Sequence, residues 1–141
     1  MLRYGLTGWN DYAAPSPVPD ARWALAQIEV PVVLVGHSMG ARAAIAVADD
    51  PNVVGVVALA PWFPQGEPVE ALRDKWLVAA HGRADRITSY AATREYVERA
   101  GQVASSAELV DMGDVGHYLV RRAAAWNSLT LASALEMLDR H

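Results

Sequence analysis

The chain of 141 residues contains no cysteine, which excludes disulfides, thiol catalysis and cysteine-ligated metals. Nowhere does it run to 18 uninterrupted apolar residues. Its start, MLRYGLTGWN, shows no charged segment followed by an apolar stretch and a cleavage site, so a cytoplasmic location is expected. Positive charge is not in excess. Twelve Lys and Arg against 16 Asp and Glu give a formal charge of −4, which offers no footprint for nucleic acid or for an anionic membrane surface. The four histidines, His37, His81, His117 and His141, miss zinc spacings such as HExxH. No metal and no cofactor are expected. Internal repeats, low-complexity tracts and interdomain linkers are also missing.

The composition that remains, 52% hydrophobic and 20% charged, is that of a folded globular protein. A chain of this length can bury roughly two-thirds of the surface its unfolded form exposes. Leu2 to Leu6 reads as a short strand. After a proline-rich connection, Asp20 reads as the cap of a helix carrying Trp23, Leu25 and Ile28. Pro31 to Val35 and Val53 to Leu59 are continuous runs rich in β-branched residues, as expected of strands covered on both faces. Met39 to Asp49 fits a helix between them, and Pro68 to Arg73 a short one. Further strands are expected at Trp76 to Ala80 and Ala107 to Val110. Tyr90 to Arg99 is a helix capped by Ser89 and closed at Gly101. The last helix, Arg122 to about Leu138, sets Ala125, Leu129, Ala132, Leu135 and Leu138 at helical spacing, with Trp126, Leu129 and Leu135 read as core. This alternation gives the class α/β: a mostly parallel sheet of about five strands with flanking helices.

In such sheets ligands bind beyond the carboxyl ends of the strands, so the residues just after each strand carry the chemistry. The run VVLVGHSMGARAA places Ser38 between Gly36 and Gly40 at a strand-to-helix junction, matching G-x-S-x-G. Small flanking residues permit a sharp turn that lifts the serine hydroxyl off the sheet. The same turn aims the Met39 N–H and the helix dipole at developing negative charge. The plain alternative is a turn with a helix-capping serine. A serine nucleophile needs an imidazole and a group to orient it. Asp85 follows one strand and His117 another, so Ser, Asp and His fall at strand ends in that order. Asp85 is also compatible with a solvated loop acid paired with Arg83 or Arg86, Asp111 and Asp114 compete for its role, and His117 also suits the start of a helix. His81 reads as a strand-end residue packed beneath its loop.

Through GHSMG at 36 to 40, HGRADRIT at 81 to 88 and GHY at 116 to 118, the chain resembles the α/β-hydrolase family over nearly its whole length. The resemblance implies Ser38 as nucleophile, His117 as general base and then acid, and Asp85 as the carboxylate orienting it. It also implies a hydrolase of esters, thioesters or related acyl compounds acting on a small acyl-ester substrate, in one domain over 1–141.

The family usually has eight strands, and the chain has room for about five, with no HG-type oxyanion segment before the elbow. A backbone N–H of Gly8 or Trp9 is the expected substitute, against the alternative of Trp9 as a hydrophobic plug. Some 15 residues separate the third and fourth expected strands, too few for a helical cap, so an open site is expected. Trp62 and Phe63 are placed at its rim or in local packing, and His37 beside the serine among the substrate contacts. With one sheet face left mostly to the last helix, exposed apolar surface implies a homo-oligomer, a dimer. The competing class of function is a non-catalytic binding or scaffolding domain on a degenerate hydrolase fold.

Overall fold

The computed structural model describes Trp9 and residues 17–141; the strand expected at Leu2 to Leu6 lies outside them, as does Gly8. The described elements run α1 (Pro17–Leu25), β1 (Val32–His37), α2 (Met39–Ala46), β2 (Val53–Leu59), β3 (Trp76–His81), α3 (Tyr90–Ala100), β4 (Ser106–Asp111) and α4 (Ala123–Asp139). The described strands form one parallel sheet in the order β1-β2-β3-β4, and each of the four strands expected within the described residues is found.

The β-branched run of β2 is buried at every residue because it is a central strand with helices on both faces. On one face, Leu25 of α1, Ala41 and Ile45 of α2, and Tyr96 and Val97 of α3 close over Val56 and Ala58. On the other, Trp126 and Met137 of α4 pack with Val54, Val57 and Leu59. This division, three helices against one, is the one expected from right-handed crossovers between strands taken in sequence order.

Three details differ from the sequence reading. Helix α1 starts at Pro17, three residues before Asp20, because proline's fixed φ suits the first helical turn; Asp20 sits inside that turn and favours the positive dipole end. Gly101 ends α3 with an ordinary φ of −59°, so its left-handed freedom is not used. Leu135 is not core: it is 52% exposed, while Trp126, Ser133 and Met137 are the buried positions of α4. The helix is apolar on most sides, which leaves its buried stripe undefined by spacing alone. The expected Ser89 cap forms, its Oγ accepting from Ala92 N–H at 3.1 Å.

Between β2 and β3 the chain makes only the 3₁₀ turn Glu70–Leu72, so no helical cap covers the strand ends there. This connection is pinned from below. Arg42 Nε donates to Glu67 Oε1 at 2.6 Å, Arg99 donates to Glu67 O at 2.9 Å, and Tyr96 Oη donates to Pro68 O at 2.8 Å.

Candidate active site

At the end of β1 the backbone turns into α2 at Ser38 with φ 55° and ψ −119°, a conformation that costs a non-glycine residue strain. Gly36 makes the turn possible, because a Cβ there would collide with the carbonyl oxygen of Gly40. The Ser38 N–H donates to Leu59 O at 3.0 Å, and Ser38 O accepts from Trp62 N–H at 3.2 Å. The junction is thereby fixed to the end of β2. Although Ser38 occupies the N-cap position of α2, its hydroxyl does not cap the helix. The residue is partly exposed.

Asp85 and His117, 32 residues apart, meet at 2.9 Å through Asp85 Oδ2 and His117 Nδ1. The Asp85 side chain is fully buried and that of His117 is 7% exposed, so Asp85 is not a solvated loop acid. Arg83 instead pairs with Asp111 at 3.3 Å on the surface. Gly82 allows the approach: a Cβ on it would strike the carbonyl of Val115, so the loops after β3 and β4 press together only because position 82 has no side chain.

The Asp85 carboxylate is heavily hydrogen-bonded. Oδ1 accepts from the N–H groups of Ile87 (2.8 Å) and Thr88 (2.9 Å). Oδ2 faces His117 Nδ1, the Thr88 hydroxyl at 2.9 Å and His81 Nε2 at 3.1 Å. Burial alone pushes its pKa up, but the donors, led by the Thr88 N–H and His117, hold it well below the usual carboxylate range. For the wholly buried His81, burial is the largest influence and lowers the pKa below 6.5 despite the facing Asp85.

The other expected site residues divide. His37 Nε2 meets His117 O at 3.0 Å, and the two rings lie 4.7 Å apart between centroids. Trp62 is 37% exposed at the rim. Phe63 does not line that rim: it is 5% exposed and stacks on Tyr96 at 4.0 Å, because the turn after β2 sends alternate side chains to the surface and the core. The Trp9 ring lies over the Arg42 guanidinium at 3.9 Å and edge-on to Trp62 at 6.3 Å. Met39 opens α2, so its N–H has no partner within the helix. Among the described residues, no group of His, Asp or Glu could hold a metal ion, and no helix is long and apolar enough to cross a membrane.

A family model described as an alpha/beta hydrolase domain matches residues 18–125. The chain belongs to the α/β-hydrolase family. No curated protein matches it by sequence. Among solved structures, this α/β hydrolase is similar to an alpha-beta serine hydrolase homologue from Coxiella burnetii, at 19% identity and TM-score 0.72 over 98% of this chain and 66% of that one. It is similar to the esterase domain of a Rhodothermus marinus protein, at 17% identity and TM-score 0.65 over 91% and 69% of the two chains. It is also similar to acyl-protein thioesterase 2 from Zea mays, at 19% identity and TM-score 0.64 over 84% and 64%. The chain thus spans about two-thirds of the length of these structures.

Two residues that contact the Asp85–His117 pair are not among the expected site residues, though His81 is buried at its strand end as expected. Thr88 touches Asp85, His117 Nδ1 (3.1 Å) and Ala60 O (3.3 Å) through one hydroxyl. Its signal is the spacing Asp-x-x-Thr in ADRIT, where a carboxylate can accept from the N–H three residues on. The second is His81, whose partners Asp85 and Thr93 leave no signal in strand patterning.

Proposed function

We propose that this α/β hydrolase is a serine-dependent hydrolase of carboxylic esters or related acyl compounds, working through a covalent acyl-enzyme. The observation that carries this reading is a strained serine whose hydroxyl caps nothing, in a sheet whose neighbouring strand ends hold a buried carboxylate–imidazole pair. In the proposed reaction Ser38 Oγ attacks the acyl carbon as its proton passes to His117 Nε2. The tetrahedral oxyanion faces the Met39 N–H and the positive end of α2. Collapse expels the alcohol or thiol, which takes the proton from His117. Water, deprotonated by His117, then attacks the acyl-enzyme; the proton returns to Ser38 and the carboxylic acid leaves.

Asp85 holds His117 with Nε2 free, since Nδ1 is committed to the carboxylate. The backbone N–H of Trp9 or Gly8 is the proposed second oxyanion donor, and Trp62 and His37 the proposed substrate contacts. Removing one such donor typically lowers turnover by about 10²–10³. A small acyl ester in the cytoplasm is the proposed substrate, with no cofactor. Exposed Val35 on β1, together with Leu131 and Leu135 on α4, supports self-association as a dimer; light scattering that finds a strict monomer at micromolar concentration rejects that part.

The test is a fluorophosphonate probe. Labelling of the wild type that is lost in Ser38→Ala supports the proposal, and an unlabelled wild type overturns it in favour of a non-catalytic domain. A panel of esters and thioesters of increasing acyl length then separates esterase from thioesterase.

A further inference from the structure

His81 is the only histidine besides His117 in contact with Asp85, and it is fully buried. Its Nδ1 lies 2.7 Å from Thr93 Oγ1 and its Nε2 3.1 Å from Asp85 Oδ2. The Thr93 hydroxyl has one hydrogen and two acceptors within reach, His81 Nδ1 at 2.7 Å and Ser89 O at 3.3 Å. The shorter contact takes it. Were the hydrogen given to Ser89 instead, Nδ1 of a neutral ring would carry the proton and Nε2 would turn a lone pair on a carboxylate oxygen. That arrangement is repulsive and buried, so the geometry selects the Nε2–H tautomer.

We propose that His81 is a positioning residue for the Asp85–His117 pair: a permanently neutral imidazole that accepts the Thr93 hydroxyl at Nδ1 and donates Nε2–H to Asp85 Oδ2. This rests on the reading of Ser38, His117 and Asp85 as a catalytic set. Oδ2 then accepts from three donors, His117 Nδ1, His81 Nε2 and the Thr88 hydroxyl. Sharing the oxygen spreads its charge, so His117 gains less from Asp85 than it would from an undivided partner.

Among the described residues, no charged group besides Asp85 contacts His81. From α3, Thr93 and the Tyr90 ring, edge-on at 5.9 Å, face it; from the loops, Asp85, Thr88 and His117 do. On β4 its register partner Asp111 turns outward to Arg83. Burial lowers the His81 pKa, in accord with a neutral ring.

The test is histidine ¹⁵N–¹H spectroscopy of the full chain between pH 5 and 8, comparing wild type with His81→Leu and His81→Gln. The expected wild-type result is one neutral Nε2–H histidine that does not titrate, whose signal vanishes in both variants. The His117 Nδ1–H proton signal is expected to move downfield in His81→Leu, where Asp85 Oδ2 is shared by one donor fewer, and to return close to its wild-type position in His81→Gln. An Nδ1–H tautomer, a His81 that gains a proton above pH 6, or an unmoved His117 Nδ1–H signal in a folded His81→Leu overturns the proposal. If His81→Leu does not fold, the wild-type tautomer still decides. Failure of the hydrolase reading shows separately, as absent fluorophosphonate labelling with these titrations intact.

Discussion

His37 Nε2 lies 3.0 Å from the backbone carbonyl oxygen of His117, so the residue before the elbow serine holds the loop that carries the proposed base. The bond joins the end of β1 to the loop after β4, between residues 80 apart in sequence. Replacing His37 with Phe keeps a ring against His117 but removes the donor, and kcat/KM for a small ester is expected to fall about 5–10-fold, the worth of one hydrogen bond. His37→Gln, which restores an N–H donor, is expected to recover most of it. Steady-state kinetics on the three proteins check this.

Thr88 gives a second expectation. Its hydroxyl is buried against Asp85, His117 and Ala60 O. Thr88→Val preserves shape and leaves the buried Asp85 Oδ2 short of one donor, so urea denaturation should show a loss of about 1–3 kcal/mol together with reduced kcat. Thr88→Ser should restore both. Equal stability of the Val variant and wild type would contradict this account of the site.

The elbow should trade stability for reactivity. Ser38 holds a positive φ that glycine adopts without strain, so Ser38→Gly is expected to raise stability by about 1 kcal/mol or more while abolishing probe labelling. Gly36→Ala should do the reverse, destabilising the fold by more than about 2 kcal/mol because the Cβ has no room beside Gly40. Thermal unfolding of both variants measures the pair.

Two buried groups set the response to acid. His81 folds with a pKa lowered from 6.5, so its contribution is complete above pH 6.5 and is lost as the pH falls, since the unfolded chain takes the proton first. Asp85 folds with a pKa depressed below 3.8, so its contribution is complete above about pH 4 and is lost only as the pH drops toward its lower folded value. Urea midpoints from pH 7 to 2.5 should therefore decline in two stages. His81→Gln should remove the first stage and Asp85→Asn the second.

Much of this arrangement is legible in the sequence, because it is local. The β-branched runs mark β1 and β2, GHSMG marks the junction at Ser38, and Ser89 marks the start of α3. Other features depend on long-range packing. Phe63 and Trp62 are neighbours of similar character, and only the presence of Tyr96 decides which of them is buried. Leu135 shares its helix with leucines and alanines on most sides, so its exposure follows from where Trp126 and Met137 meet the sheet. The pairing of Arg42 with Glu67 joins residues 25 apart through a loop of no regular pattern.

The bare α-carbon of Gly82 against Val115 has a practical side for anyone reshaping substrate preference. The two segments behave as interlocking teeth: a side chain at position 82 would meet the main chain of Val115 and pry Asp85 from His117. Because the obstacle is main chain, no exchange of side chain at position 115 would make room, and a mutagenesis library has to leave position 82 untouched to keep the carboxylate and imidazole clasped.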